Sequence, residues 1–494
     1  MNQYTLAEIR AAEHAAGAAL HDGTLARLAG RAVADLAWTQ WCRGLVNPRV
    51  LVLAGPGNNG ADALFAARTL LARGVDITLV EPMGSEGSPL RKQARAELPD
   101  SVPSAAGLPA DCSRTDLILD GLLGIGARPV KHGAIAVAIE QANASGRPIL
   151  AIDLPSGLNA DTGALADSAI CIKATQTLTM IGHKRGLCTF EGAAAAGAVR
   201  VASLGLEPPA SSCWLDDASS VAALSPHDGV LAHKGSRGDA WVVGGAAGMQ
   251  GAAWLAARAC LATGAGRVFA ALDHAASAVS APWAAQIQLR DWSMHVPDRA
   301  AVVLGCGLGS SDAARGLLAR LCGHPGPLVL DADALNLLAQ GPEVAAALKQ
   351  RIVPAVLTPH PLEAARLLSV PVSTVQSDRF AAARRMAERF RAVVLLKGNG
   401  SVIAAPETEK LWVTGSGHPI LATGGTGDCL AGLIGGLLAR GLAPSHAARL
   451  GAWVHGSAAQ AEAMRLGGSS GLDIAALAET CARQFNALAQ QRAS

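Results

Sequence analysis

Short runs of Val, Ile and Leu alternate with longer Ala-rich stretches along the whole chain, and this alternation constrains the fold more than any other feature. Apolar runs of about four to eight residues bounded by Gly or polar residues are typical of fully buried strands. Strands that alternate with helices form parallel sheets flanked by helices. We therefore predict an α/β protein, and 494 residues are enough for two or three domains.

The periodicity is interrupted once, in a stretch that gathers Pro, Ser and Asp over 206–229. We predict a domain at 1–208, a linker at 209–221 and a second domain at 222–494. The predicted strands of the first domain are 49–54, 75–81, 116–120, 148–153 and 174–181, with helices near 5–20, 61–73 and 131–145. In the second domain we predict strands in GDAWVVGG, GRVFAAL, AAVVLGCG, GPLVLDAD, PAVLTPH and AVVLLKG, then helices over 426–440, 444–465 and 471–490.

Charge and composition exclude several classes of protein. The net charge is +2 and charged residues are only 16% of the chain, without long runs of one sign, so we expect no nucleic-acid or membrane partner. The longest apolar stretch, CLAGLIGGLLARGL, is too short to span a bilayer. The polar N-terminus lacks the apolar region of a signal peptide. Ten scattered Cys without metal-ligand spacing indicate reduced thiols, so we expect a cytoplasmic protein.

In the first domain, three consecutive predicted strands each end in polar or Gly-rich residues. Ligands collect outside the carboxyl ends of parallel strands, so these three loops should form one site. Their glycines allow the backbone to come close to a phosphate-bearing ligand. The side chains expected at this edge are Asn58, Asn59, Asp62, Asp120, Asp153 and Ser156.

The first of these loops, GPGNNG at 55–60, is also a literal G-x-G-x-x-G and leaves two other interpretations open. Glu81 ends the next strand at about the distance expected for the ribose-binding acid of an oxidoreductase. The Asn-Asn pair fits that class poorly, because oxygen-rich side chains suit a monovalent cation or a polar ligand better. The other interpretation is that Asn58, Asn59 and Asp62 only cap the following helix.

The second domain carries its most informative motif at TGGTGDC, 423–429, where glycines and an acid precede an apolar helix. Backbone N–H groups at a helix N-terminus stabilise negative charge. Asp428 could therefore take a proton from a hydroxyl group while these N–H groups hold a transferring phosphate. The alternative is that Asp428 is only a favourable acid in the first turn of a helix.

Further motifs at strand ends point to a nucleotide site. KGNGS (397–401) is a tight turn whose amides can surround phosphates. LGCGLG is a weaker glycine signal, DADALN offers two acids, and TPHPLE places His360 at a strand end. The basic loop HKGSRGD at 233–239 is either a phosphate contact or a solvated loop.

The first-domain motifs N-N-G-x-D, L-D-G-L-L-G-I-G and I-D-L-P-S-G, with HKRGL and VASLGL after them, resemble the epimerase domain of NAD(P)H-hydrate repair enzymes. The resemblance implies a Rossmann-like three-layer α/β domain that interconverts the R and S hydrates, with Asp62 and Asp153 as the acids available for proton transfer. It implies a potassium ion held by Asn59, Asp120 and Ser156. Ala61 and Ala63 stand where the family has Gly, which keeps a non-catalytic binding module open as an alternative. By resemblance, the residues contacting the hydrate are Asn58, Asn59, Gly60, Ala61, Asp62, Gly124, Ile125, Gly126, Ala127, Arg128, Pro129, Val130 and Asp153.

Seven motifs of the second domain, in their order, resemble the ribokinase-like dehydratase domain of the same enzymes, with Cys306 where Pro is common and Leu362 where Gly is common. The resemblance implies that ADP, or ATP, phosphorylates the hydroxyl of the S hydrate with Asp428 as base, and that phosphate then leaves. Phosphoryl transfer normally requires Mg²⁺. The implied hydrate contacts are Ala252, Gly307, His360 and Asp428, and the implied nucleotide contacts are Lys397, Gly398, Asn399, Gly400, Ser401 and Gly427.

Together these resemblances imply a bifunctional enzyme that acts on NADH and NADPH hydrates as small-molecule substrates, and we expect a homo-oligomer. The alternative for the second domain is a small-molecule kinase fused to a sensor domain, whose product would be a stable phosphate ester. The plain oxidoreductase is disfavoured because no catalytic Tyr-Lys or His-Asp pattern accompanies the loop.

Overall fold

The computed structural model describes residues 1–17, 23–126, 129–166, 169–208, 210–227, 229–273 and 282–493. The chain forms two compact units, one over Asn2–Cys213 and the other over 214–494 together with Met1. Among the described helices, none combines the length and the apolar character that crossing a lipid bilayer requires.

The first unit is built on a parallel sheet of seven strands. Its strands are β1 (Asn2–Tyr4), β2 (Arg49–Ala54), β3 (Asp76–Val80), β4 (Ser104–Ala105), β5 (Leu117–Gly121), β6 (Ile149–Ile152), β7 (Gln176–Met180), β8 (His183–Lys184) and β9 (Ala198–Ala202). Its helices are α1 (Leu6–Gly17), α2 (Thr24–Ala37), α3 (Asn58–Leu71), α4 (Pro89–Ala96), α5 (Ala134–Ala144) and α6 (Phe190–Ala195). The sheet order is β4-β3-β2-β5-β6-β7-β9, and the short strands β1 and β8 pair separately. The order reverses between β2 and β5, so their two following loops meet at the crevice where such sheets bind ligands.

Alternate residues of the central strand face two different cores. Val50 and Val52 of β2 belong to a cluster with residues of α2 and α3. Leu51 and Leu53 belong to a second cluster with residues of α5. Because successive side chains of a strand point to opposite faces, the sheet has a helical layer on each side. The predicted three-layer α/β unit is therefore confirmed.

The predicted elements of this unit are present, with differences at their ends. Helix α3 begins at Asn58, three residues before its predicted start, so the two asparagines belong to its first turn. Helix α1 ends at Gly17, and the rest of its predicted range lies outside the described residues. Helix α2 was not predicted, although apolar residues recur on one face and Val33 is fully buried.

The second unit has a larger, mostly parallel sheet. Its strands are β10 (Cys213–Asp216), β11 (Asp239–Gly244), β12 (Arg267–Leu272), β13 (Ile287–Asp291), β14 (Ala301–Leu304), β15 (Leu328–Leu330), β16 (Val356–Leu357), β17 (Val393–Leu396), β18 (Val402–Ala404) and β19 (Leu411–Thr414). Its helices are α7 (Ala218–Ala222), α8 (Gln250–Ala262), α9 (Asp312–Cys322), α10 (Asp333–Leu338), α11 (Pro342–Lys349), α12 (Pro361–Leu368), α13 (Val372–Ser377), α14 (Arg379–Phe390), α15 (Thr426–Ala439), α16 (Pro444–Leu466) and α17 (Ile474–Ala493). The sheet runs β13-β12-β11-β14-β15-β16-β17-β18-β19, and only β18 and β19 pair antiparallel to their neighbours.

Residues 209–221, predicted as a linker, contain β10 and part of α7. Asp217 and Ser220 form a capping box that begins α7. Such a box satisfies two of the unpaired N–H groups of a helix, which explains an ordered helix in a stretch rich in Ser and Asp.

Helix α15 is the buried helix that presents the glycine-rich motif. It packs on α8, and a Cβ atom at Gly432 would lie only 2.1 Å from the carbonyl oxygen of Ala256. Glycine at this position therefore lets the two helices approach closely. This packing fixes where the N-terminus of α15 lies relative to the strand ends of its own unit.

Candidate active sites

A cavity of about 620 Å³ opens in the first unit at the carboxyl ends of β2, β5 and β6. Helix α1 contributes Arg10 and Glu13 to its wall, and neither was singled out from the sequence. Among the described residues predicted to bind the hydrate, those that line the cavity are Asn58, Asn59, Asp62, Gly124, Ile125, Gly126 and Asp153.

Other predicted residues lie elsewhere. Ala61 is fully buried in the core behind α3, and Gly60 packs against the loop, where an added Cβ would lie 2.1 Å from the carbonyl oxygen of Gly55. Pro129 and Val130 are also outside the cavity wall. Ala127 and Arg128 lie outside the described residues. The methyl groups of Ala61 and Ala63 point into the core, so they do not narrow the cavity.

The asparagine side chains do not cap α3. The residue before the helix is Gly57, and no side chain caps its first turn. Instead, Nδ2 of Asn59 donates a hydrogen bond of 2.8 Å to the carbonyl oxygen of Leu123, which joins the loop after β2 to the loop after β5.

Glu81 is engaged in a buried ion pair rather than free for a ribose. Its carboxylate accepts hydrogen bonds of 2.6 Å from Arg91 Nη2 and from Ser104 Oγ. Arg91 is fully buried, and its Nε donates to the carbonyl oxygen of Gly55. This arrangement holds the glycine loop from behind and removes the acid on which the oxidoreductase interpretation depended.

Asp120 is a buried carboxylate whose surroundings are rich in oxygen. Oδ1 accepts a hydrogen bond of 2.6 Å from Ser156 Oγ, and Oδ2 accepts one of 2.9 Å from Ser156 N. Burial raises the pKa of Asp120 to about 6, and in the described part of the chain no cationic side chain pairs with it. The asparagine that bonds Leu123 adds a further oxygen from the facing loop. Buried negative charge among neutral oxygen donors fits a bound cation with hard-ligand preference.

Three carboxyl groups face one another in the cavity. Burial, the charge of Asp153 and the charge of Glu13 raise the pKa of Asp62 well above its usual range. Burial and the charge of Asp153 also raise the pKa of Glu13. Asp153 contacts the ammonium group of Lys184, which is fully buried behind it. A hydrogen-bonded cation favours the ionised carboxylate, so this cavity offers both a neutral acid and a carboxylate.

In the second unit, four strand and helix ends bring charged groups together. Nζ of Lys397, after β17, lies 2.8 Å from Oδ1 of Asp331, after β15. Ligand atoms of Asp331, Asp428 and Cys306 lie within 4.8 Å of one another. Burial and the charge of Asp331 raise the pKa of Asp428 to about 6, while Lys397 opposes the rise. A carboxylate with such a pKa can act as a general base near neutral pH.

The glycines of this unit also meet the predicted partners. A Cβ atom on Gly427 would lie 3.3 Å from Nζ of Lys397, so the start of α15 adjoins the lysine of the KGNGS turn. A Cβ atom on Gly307 would lie 3.2 Å from Cβ of Ala252, so these two predicted hydrate contacts are neighbours. The turn over 397–401 connects the antiparallel strands β17 and β18 as predicted.

His360 has a structural role in the first turn of α12. Its Nδ1 accepts hydrogen bonds from the backbone of Leu362 at 3.1 Å and of Glu363 at 3.3 Å. Burial and Lys397 lower the pKa of His360, which favours the neutral acceptor form. Contact of His360 with the hydrate stays a prediction, since only Nε2 is left for it.

The fold and the two sites define a class of protein: an enzyme that joins a Rossmann-like unit with an acid–base cavity to a ribokinase-like unit with a phosphoryl-transfer site. Residues 22–186 match the family described as YjeF-related protein N-terminus, and residues 240–481 match the family described as NAD(P)H-hydrate dehydratase.

Relatives of known name span most of the chain. The bifunctional NAD(P)H-hydrate repair enzyme Nnr of Vibrio cholerae is 40% identical over 359 residues, covering 70% of each chain. That of Coxiella burnetii is 37% identical over 441 residues, covering 86% of this chain and 87% of its own. A crystal structure titled ADP/ATP-dependent NAD(P)H-hydrate dehydratase from Bacillus subtilis, co-crystallised with ATP/Mg²⁺, matches with a TM-score of 0.50 and 28% identity. It covers 56% of this chain and 98% of that chain. The chain belongs to the bifunctional NAD(P)H-hydrate repair enzymes, with an epimerase unit followed by a dehydratase unit.

Proposed function

We propose that the first unit interconverts the R and S forms of NADH or NADPH hydrate and that the second unit returns the S form to the intact dinucleotide. The observation that carries this proposal is the pairing of two distinct sites in one chain. One is a cavity with three carboxyl groups, and the other is a base at a helix N-terminus beside a buried lysine. Proton transfer in the first site and phosphoryl transfer in the second are the two chemistries that repair requires.

In the second unit, Asp428 takes the proton of the ring hydroxyl as the terminal phosphoryl group of ADP or ATP is transferred to that oxygen. The C–O bond to phosphate then breaks with the help of the ring nitrogen's electron pair. Loss of a proton from the adjacent carbon restores the double bond, so the products are NAD(P)H, phosphate and the shortened nucleotide. The N–H groups at the start of α15 and the ammonium group of Lys397 stabilise the charge of the transferring group.

The nucleotide and its divalent ion have donors of a suitable type here. Mg²⁺ takes oxygen ligands, and the carboxylates of Asp331 and Asp428 are such ligands, whereas the Cys306 sulfur is not. When bound, Mg²⁺ supplies charge neutralisation to the phosphates. We assign the turn residues Lys397, Gly398, Asn399, Gly400 and Ser401, together with Gly427, to the nucleotide. Ala252, Gly307 and His360 are assigned to the hydrate.

In the first unit, we propose that Asn59, Asp120 and Ser156 hold a potassium ion. The fully buried carboxylate of Asp120 without a cationic side-chain partner supports this assignment. The hydrate is assigned to the cavity wall formed by residues 58–62, residues 124–130 and Asp153. None of the ten cysteines forms a disulfide, which supports a cytoplasmic location. Assembly as a homo-oligomer stays a prediction.

The two assignments can be tested separately on the full chain. Purified S hydrate with Mg²⁺ and ADP, or ATP, should give NADH absorbance, and Asp428→Asn should abolish it. Purified R hydrate without nucleotide should be converted to a mixture of epimers, followed by chromatography, at a rate unaffected by Asp428→Asn. A stable phosphorylated hydrate as the end product would instead support a kinase, and no reaction of either epimer would contradict the proposal.

A further inference from the structure

Lys184 is a buried cation with no place in the repair reaction as proposed above. Its side chain is fully buried in β8 and lies behind the cavity wall. Nζ contacts Oδ1 of Asp153 and donates a hydrogen bond of 2.7 Å to the carbonyl oxygen of Met180. A buried ammonium group is retained only where partners compensate its desolvation, and here one partner is a carboxylate of the cavity.

The contacts of Asp153 are concentrated on one oxygen. Besides Lys184, Oδ1 accepts a hydrogen bond of 2.9 Å from Met180 N and one of 3.3 Å from Thr179 Oγ1. Among the described residues, no donor reaches Oδ2, which is therefore the oxygen left for a ligand in the cavity. All three contacts on Oδ1 favour the ionised form of the carboxyl group.

The backbone around this contact is held in an uncommon conformation. Asp153, at the end of β6, has φ of 66°, and Ile181, at the end of β7, has φ of 67°. A left-handed backbone is strained for residues other than Gly, above all for a β-branched residue such as Ile. Such strain persists only where the surrounding structure determines it, and it clusters at functional sites. Both positions flank the lysine contact, since Met180 precedes Ile181.

The charged groups facing Asp153 come from three elements. Asp62 lies on α3, Glu13 and Arg10 lie on α1, and Lys184 lies on β8. His183 adjoins Lys184, and burial lowers its pKa to about 4, so it is uncharged at neutral pH. The three carboxyl groups cannot all ionise cheaply in one buried cavity, and the lysine is placed to favour one of them.

We propose that Lys184 is a positioning residue that keeps Asp153 a carboxylate while Asp62 remains a carboxylic acid, so that Asp153 is the base and Asp62 the acid of epimerisation. This inference rests on the proposed function of the first unit. Asp153 removes the hydroxyl proton of the hydrated ring carbon, and Asp62 gives its proton to the ring nitrogen. The carbon–nitrogen bond breaks and leaves an open-chain aldehyde. Rotation of the aldehyde and reversal of both proton transfers close the ring with the opposite configuration and restore both carboxyl groups.

The test compares wild type, Lys184→Met and, as a matched control, Lys173→Met, an exposed lysine of the same unit. The rate of R-to-S conversion without nucleotide is measured against pH. The acidic limb of kcat/KM should move upward by about one pH unit or more in Lys184→Met, because the cation that favours ionised Asp153 is gone. At neutral pH the rate should fall about ten-fold or more, with recovery at higher pH. Lys173→Met should match wild type.

A limb that stays in place in a folded Lys184→Met protein would overturn the inference, because a merely structural lysine changes stability and not the pH of the limb. Wild type without any epimerisation would overturn the proposed function itself, which is a different result. A second measurement needs no lysine variant. The carboxyl carbon resonances of ¹³C-labelled Asp, assigned with Asp62→Asn and Asp153→Asn, should titrate in wild type at lower pH for Asp153 than for Asp62. The reverse order would overturn the assignment of base and acid.

Discussion

Ser156 Oγ donates a hydrogen bond of 2.6 Å to Oδ1 of Asp120, and this pair joins the loops after β5 and β6 around a buried negative charge. Burial raises the pKa of Asp120 to about 6. The folded unit therefore binds more protons than the unfolded chain between about pH 4 and 6, and its free energy of unfolding should fall as the pH rises. The loss is on the order of 3 kcal/mol for this group when no cation is bound.

Potassium should reverse that loss. Above pH 6, thermal unfolding of the first unit should occur at a higher temperature in potassium chloride than in tetramethylammonium chloride of equal ionic strength. Asp120→Asn should remove this difference and the potassium dependence of epimerisation, whereas Asp100→Asn, at an exposed position, should keep both. Equal potassium effects in wild type and Asp120→Asn would contradict the cation assignment.

Removing the proposed base should affect only one activity. Asp428→Asn should lower the dehydratase kcat by about 10²- to 10⁴-fold, the usual contribution of a general base. Asp312→Asn alters another acid in the first turn of a helix and should change nothing, which controls for a helix-dipole effect. Since the base acts when ionised, wild-type dehydratase activity should rise with pH through about 6. Dehydratase activity retained in Asp428→Asn would remove this residue from the mechanism.

The Lys397–Asp331 pair predicts two pH shifts of opposite sign. Lys397 lowers the pKa of Asp428, and Asp331 raises it. The acidic limb of dehydratase kcat, at saturating nucleotide, should therefore move to higher pH in Lys397→Met and to lower pH in Asp331→Asn. Each single variant leaves one charge buried without its partner, so both should also unfold at a lower temperature. Shifts in the same direction would show that the limb belongs to another group.

The double variant provides the control for stability. Lys397→Met combined with Asp331→Asn removes both charges, and so it should recover part of the stability lost in the single variants. It should not recover nucleotide affinity, because the lysine beside Gly427 is still missing. Calorimetric titration with ADP on the full chain measures this directly.

The two alanines of α3 should not limit epimerisation. Both methyl groups are fully buried in the core, away from the cavity. Restoring glycine with Ala61→Gly and Ala63→Gly should leave epimerase kcat unchanged and lower the free energy of unfolding by about 1 kcal/mol per site, the cost of Gly inside a helix. A faster epimerase in either variant would show that the methyl groups do restrict the site.

Much of the fold could be predicted because buried parallel strands are local signals. The run at 49–54 and the acids after 116–120 and 148–153 are visible without knowing what packs on them. Their convergence follows from the rule that ligands gather at the carboxyl ends of parallel strands. The start of α3 was missed by three residues because Asn59 bonds Leu123 in another loop instead of capping the helix.

Partners distant in sequence could not be predicted in the same way. Glu13 lies on a helix that precedes the sheet, and nothing in its local pattern distinguishes it from a surface acid. Lys184 and Asp153 are 31 residues apart, and Lys397 and Asp331 are 66 apart. The HKRGL and DADALN motifs marked the right segments, but only the tertiary structure shows which charges they face.

The most direct test of the account is to give the purified full-length protein a mixture of both NADH-hydrate epimers with Mg²⁺, potassium and ADP, then with ATP in place of ADP. Recovery of reduced-nicotinamide absorbance is followed to completion. The account predicts recovery of essentially all the hydrate, and Asp153→Asn should stop recovery once the S epimer is consumed. Wild-type recovery that stops at the S epimer would contradict an active epimerase unit, and no recovery with either nucleotide would contradict the repair function itself.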